Sequence, residues 1–255
     1  MGLAGQGFNQ PNGETFFSQG WTGLKLRPAF LPCDVDPMNP LSILRDSLYF
    51  FRRHLVSILQ LCLPLVVLEA LCTQLLYRQL GDQASAGYGM LVSLLFYPLY
   101  SAALILYMDT RSNGQDIAKR NLFARAVQLW PSLALLILIS SLLIMAGLAL
   151  FIFPGAWIMI NLVFAEYLLV LRGLPVVQAM RESARMTTGH FMRILVCVVA
   201  VLAPLWLLDG LLLMAFPEPQ PGVQLALDSL SGFLQLFSSV VLYRLFMLLE
   251  NDALA

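Results

Sequence analysis

From residue 38 onward the chain is built of long, uninterrupted apolar runs separated by short polar stretches. The runs occupy 55–77, 88–108, 130–150, 156–171, 194–216 and 229–249. A helix needs about 20 apolar residues to cross the hydrocarbon core of a bilayer. Five of the runs meet that length, and the short fourth is extended at its start by 151–155. Continuous runs predict helices, because the strands of a membrane barrel would alternate. Phe153-Pro154-Gly155 joins the third run to the fourth. Proline stops a helix and glycine supplies a turn, so Pro154 and Gly155 are expected at the turn of a tight antiparallel hairpin.

The polar stretches have a pattern of their own. Leu41, Leu44, Leu48, Phe51 and Leu55 recur at helical spacing, with Arg45, Asp46, Arg52 and Arg53 elsewhere around the helix. Val176, Val177, Met180, Ala184 and Phe191 form a second stripe beside Gln178, Arg181 and Arg185. A weaker case runs from 116 to 129, with Leu122, Ala126 and Leu129 opposite Lys119 and Arg120. Each predicts an amphipathic helix at the membrane interface that leads into a span. Arg45, Arg52, Arg53, Lys119, Arg120, Arg181 and Arg185 are then the expected contacts to lipid headgroups.

Thirteen of the fifteen Lys and Arg residues fall on one side of the predicted spans, leaving Arg78 on the other and Arg244 inside the last. The excess of positive loops places both termini in the cytoplasm. An offset of 136 residues aligns Arg45 with Arg181, Asp46 with Glu182, Ser47 with Ser183 and His54 with His190. The expected fold is an all-α integral membrane protein of six transmembrane helices with three cytoplasmic interfacial helices, from a threefold helix-plus-hairpin repeat.

Residues 1–37 hold six glycines and four prolines and no apolar core for a signal peptide. They are expected to be a disordered leader, or to precede a start at Met38, where Asn39 and Pro40 open a helix directly. Residues 38–255 make the membrane domain.

Composition narrows the chemistry. Charged residues are 12% of the chain and hydrophobic ones 59%, against about 25% charged in a soluble domain, which argues against a soluble enzyme. Zero net charge removes the attraction a nucleic-acid partner requires. Cys62, Cys72 and Cys197 lie in apolar runs and Cys33 in the leader, with no C-x-x-C spacing, so neither a metal site nor a cofactor is expected. The chain has no H-E-x-x-H, G-x-S-x-G, G-x-G-x-x-G or phosphate-loop motif. His54 and His190 stand where amphipathic helices meet the membrane, which suits interfacial anchoring better than headgroup chemistry.

Ionisable residues inside a span cost about 2.5 to 3.5 kcal/mol each and need a partner or a wet cavity. Glu166 and Arg244 each lie five residues from a cytoplasmic span end, about 8 Å deep, so an ion pair between them is geometrically available; alternatively such a pair only fixes helix register, or Arg244 snorkels to the headgroups. Glu69 and Asp209 lie at matching depths from the outer ends. Facing one another they would make a proton or solute site. Alternatively each is a neutral acid bonded to a neighbour such as Gln60, Gln74 or Gln235.

Phe153-Pro154-Gly155-Ala156-Trp157-Ile158-Met159-Ile160, then Leu168-Leu169-Val170, then Ala179-Met180-Arg181-Glu182-Ser183-Ala184-Arg185-Met186-Thr187-Thr188-Gly189 resemble the YciC-like family of bacterial inner-membrane proteins. The final span, through Leu242-Tyr243-Arg244-Leu245-Phe246-Met247-Leu248, is similar too. The resemblance covers about 38–250 and implies six spans in the inner membrane, a part in envelope upkeep and no catalytic residues. The expected function is therefore non-enzymatic: handling lipid or scaffolding envelope-biogenesis proteins, with membrane lipids and envelope-biogenesis or lipid-transport proteins as partners. The alternative is a small-solute or proton-coupled secondary transporter using Glu69, Asp209 and Glu166. A membrane-embedded headgroup enzyme comes third. Pro64 and Pro204 do not mark a pair of broken helices around a midplane site.

Overall fold

The computed structural model describes residues 40–80, 86–115, 118–215 and 221–254, and every regular element among them is a helix. The leader 1–37 lies outside the described residues. The order is α1 (Pro40–Leu80), α2 (Ala86–Ser112), α3 (Lys119–Leu150), α4 (Ile152–Leu162), α5 (Ala165–Arg172), α6 (Val176–Thr187), α7 (Phe191–Ala215) and α8 (Pro221–Leu254). Six stretches are long and apolar enough to cross a membrane: Leu44–Leu80, Gly87–Ser112, Lys119–Leu150, Ile152–Arg172, Phe191–Leu212 and Gly222–Glu250. This is an all-helical membrane protein.

The core lies where α1, α2, α5 and α8 meet, around Ile58, Leu104, Met108, Phe164, Leu168 and Phe246, all without appreciable exposure. By contrast α3 and α7 turn Leu135, Leu142, Trp206 and Leu207 outward. Water would penalise so much exposed apolar surface, whereas lipid tails accept it.

Four expectations change. First, only the third amphipathic segment stands as a separate helix, α6. The other two run without a break into the spans of α1 and α3. Nothing between Arg45 and Leu55 or between Lys119 and Leu129 stops a helix. In contrast, α6 is set off by Gly173 (φ 63°) and Gly189 (φ 92°), conformations that glycine adopts freely.

Second, the fourth span is broken. Val163 and Phe164 interrupt it between α4 and α5. The Ser183 hydroxyl of α6 bridges the break, accepting from the Phe164 amide at 3.2 Å and donating to the Asn161 carbonyl at 2.6 Å. Backbone groups freed inside a membrane must be satisfied by protein.

Third, the α3–α4 hairpin turns at Phe151, which is extended. Pro154 and Gly155 lie within the first turn of α4, where a missing amide hydrogen costs little. Gly155 serves close approach instead: a Cβ there would lie 2.5 Å from the Leu148 side chain, and one on Gly147 would lie 2.9 Å from the Gly155 Cα.

Fourth, the last helix begins at Pro221, eight residues before the predicted span start at 229, because no turn signal follows Gly222.

Candidate functional site

One face of α1 carries Val66, Glu69 and Ala70, Thr73 and Gln74, and Tyr77, spaced three or four residues apart. This face lies at the end of α1 remote from Arg45, Arg52 and Arg53. Two contacts fix its register against the antiparallel α8. Gly232 lies so close to α1 that a Cβ on it would come within 2.8 Å of the Val66 Cγ1. Two turns nearer the mouth, Gln74 donates to Gln224 at 3.4 Å. Asp228 lies midway between Gly232 and Gln224, which sets it across from Ala70, and its side chain is exposed.

Around the Val66–Gly232 contact the helices border an open cavity of about 570 Å³, completed by Ser93 and Tyr100 of α2. Three charged residues line it: the half-buried Glu69, and the exposed Asp228 and Arg78. Ser93 donates to Glu69 at 2.6 Å. Among the described residues no ion pair joins Arg78 to either carboxylate. The arrangement can bind a polar group bearing both charges.

A second polar centre lies deeper. Glu166 accepts from the Ser101 hydroxyl at 2.8 Å and from the Tyr97 hydroxyl at 3.3 Å. The α4–α5 break is what positions it, since Glu166 falls in the first turn of α5, where the helix dipole favours an acid. Tyr97 meets Tyr100 edge to face with ring centroids 5.4 Å apart. Glu69, Tyr100, Tyr97 and Glu166 thus form a row of polar side chains from the cavity into the core.

Glu166 and Arg244, which depth alone made available to each other, have other partners. Arg244 reaches Asp46 of α1 at 3.4 Å, while Glu166 faces α2. Equal depth did not imply facing helices. Glu69 and Asp209 are likewise not brought together: Asp209 of α7 is exposed and accepts from Ser231 of α8 at 2.6 Å, and it does not line the cavity. Asp228 takes the place expected for Asp209. Each acid is hydrogen-bonded to a neighbouring serine, Glu69 to Ser93 and Asp209 to Ser231. Gln60 instead accepts from Lys119 at 2.5 Å, Gln74 bonds Gln224, and Gln235 lines the cavity.

Arg45, Arg52, Arg53, Lys119, Arg120, Arg181 and Arg185 are all exposed, and Arg185 lies 3.8 Å from Glu182. His54 packs on Phe50 and lies 3.2 Å from the Tyr107 hydroxyl. His190 sits in the turn between α6 and α7. Among the described residues no three His, Cys, Asp or Glu side chains are grouped as a metal site requires.

Comparison with known proteins gives a family. The chain is 28% identical to the UPF0259 membrane protein SG1383 of Sodalis glossinidius (strain morsitans), across 84% of this chain and 99% of that protein. It is 29% identical to a UPF0259 membrane protein of Serratia proteamaculans (strain 568), across 84% of this chain and all of that one. No solved structure matches. A model described as uncharacterised protein family UPF0259 matches residues 82–248, which include five of the six spans, and the chain therefore belongs to that family.

Proposed function

We propose that this is a non-enzymatic protein of the bacterial inner membrane, with both termini cytoplasmic, that handles lipid in envelope upkeep. The observation that carries the proposal is the cavity between α1, α2 and α8, a polar, charged chamber set in an apolar bundle at the end remote from the basic segments. Placing three charged groups there is costly unless something polar fills the space. A bilayer lipid offers a polar headgroup and an apolar tail, which suit such a chamber and the apolar faces beside it. The exposed basic residues of α1, α3 and α6 support membrane-surface attraction at the other end, at about 1 kcal/mol each near anionic lipid. Envelope-biogenesis or lipid-transport proteins are the partners this role would serve.

Purification of the full-length protein from native membrane, followed by mass spectrometry of the intact protein with bound lipids and proteins, tests the proposal. A phospholipid retained through detergent exchange supports it. Complete loss of lipid counts against it.

The row Glu69, Tyr100, Tyr97, Glu166 favours one second reading, a proton-coupled transporter. On that reading Glu166→Gln abolishes proton-driven uptake into vesicles of a solute bound in the cavity.

A further inference from the structure

Resting on the lipid-handling proposal, we infer that the cavity selects a headgroup carrying both a primary ammonium and a phosphate, the phosphoethanolamine unit. Glu69 and Asp228 receive the ammonium and Arg78 receives the phosphate.

The vertical order of charges is the argument. The register set by Val66–Gly232 and Gln74–Gln224 puts Asp228 across from Ala70, so that the half-buried Glu69 and the exposed Asp228 line the cavity from facing helices, both further in than Arg78. Arg78 stands nine residues further along α1, about 13 Å by helical rise. Helical side chains lean towards the N-terminus, which carries its guanidinium back towards the carboxylates. Thr73, Gln74 and Gln224 occupy the interval and offer neutral hydrogen-bonding groups.

A ligand must therefore present a cation inward and an anion outward. The primary ammonium has three N–H donors for the carboxylates, and the phosphate matches the planar fork of an arginine. A glycerol headgroup satisfies Arg78 but leaves both acids without a cation. A choline headgroup brings the cation without an N–H to donate. Without a hydrogen-bonding cation Glu69 keeps only neutral donors such as Ser93 and the negative charge of the pair stays uncompensated, so both alternatives bind less well.

The test uses the full-length protein in detergent with equimolar phosphatidylethanolamine, phosphatidylcholine and phosphatidylglycerol, and counts retained lipids by native mass spectrometry. The ethanolamine lipid is expected to be retained about tenfold over the other two. Glu69→Gln with Asp228→Asn should bring the three to near equality. Arg78→Gln should lower all three together, since each has a phosphate. Asp228→Glu keeps the charge and should keep the preference, a pattern that general misfolding does not produce.

Free phosphoethanolamine, titrated into lipid-stripped protein, separates the sources. Binding at least as tight as that of the lipid keeps the ammonium–phosphate assignment and makes the soluble compound the ligand, while much weaker binding makes it the lipid. Equal retention of the three lipids by the native protein, or a preference that survives the double substitution, overturns the headgroup assignment and leaves lipid handling standing. Retention of no lipid at all overturns the lipid reading itself.

Discussion

Asp228 and Glu69 line one cavity from facing helices, with Asp228 one turn nearer the mouth than the contact between Gly232 and Val66. That contact lets α1 and α8 approach closely below the carboxylates. Gly232→Ala would set a methyl 2.8 Å from the Val66 Cγ1. Valine has one favoured rotamer in a helix and cannot swing away. The substitution is predicted to destabilise by about 1 to 3 kcal/mol in detergent melts, and Val66→Ala added to it should recover part of the loss. An unchanged melt for Gly232→Ala would contradict the register.

Ser183 and Ser47 are both buried and are matched by the 136-residue offset, yet they do different work. Ser183 satisfies two backbone groups at the α4–α5 break, whereas among the described residues the Ser47 hydroxyl has no hydrogen-bond partner. Ser183→Ala leaves an amide and a carbonyl unsatisfied and should cost about 1 to 3 kcal/mol. Ser47→Ala removes an unpaired hydroxyl and should be neutral or slightly stabilising. Equal losses at both positions in thermal unfolding would refute the bridging role.

The partners of Arg244 and Glu166 can be separated by two double-substitution cycles. Asp46→Asn and Arg244→Gln share a contact and should couple, though by only about 0.2 to 1 kcal/mol because Asp46 is partly exposed. Glu166→Gln and Arg244→Gln should add within about 0.5 kcal/mol. Strong coupling in the second cycle would restore the pair that depth alone made available.

Orientation follows from the charge bias and can be read by thiol labelling. Gly222→Cys, near the cavity mouth, should react from outside whole spheroplasts, and Arg185→Cys on α6 only after the membrane is opened. The reverse pattern would place the cavity on the cytoplasmic side.

What was legible in the sequence is what hydropathy and local chemistry encode. Six uninterrupted apolar runs suffice to predict six spans, and Gly173 and Gly189 bound α6 visibly. The break in the fourth span left no such trace: neither Val163 nor Phe164 is a helix breaker, and the hydroxyl that satisfies the break arrives 19 residues later on another helix. Asp228, which lines the cavity together with Glu69, was missed for a related reason. Depth counted from hydropathy boundaries excluded Asp228, which α8 holds two turns inside its true start, and admitted Asp209, which points elsewhere. Which helices face each other is a tertiary fact, fixed here by Gly232 and by Gln74 with Gln224. Tyr97 and Ser101 were passed over because a hydroxyl in an apolar run becomes notable only once a carboxylate is placed beside it.

The most direct measurement fills the cavity and counts lipid. Ala70→Phe with Thr73→Trp places two large rings against the wall that carries Glu69, leaving the basic faces of α1, α3 and α6 untouched. After detergent exchange the native protein should retain a phospholipid in native mass spectra, and the filled variant, folded by its thermal melt, should have lost it. Equal lipid retention by both proteins would contradict the claim that this cavity holds a headgroup.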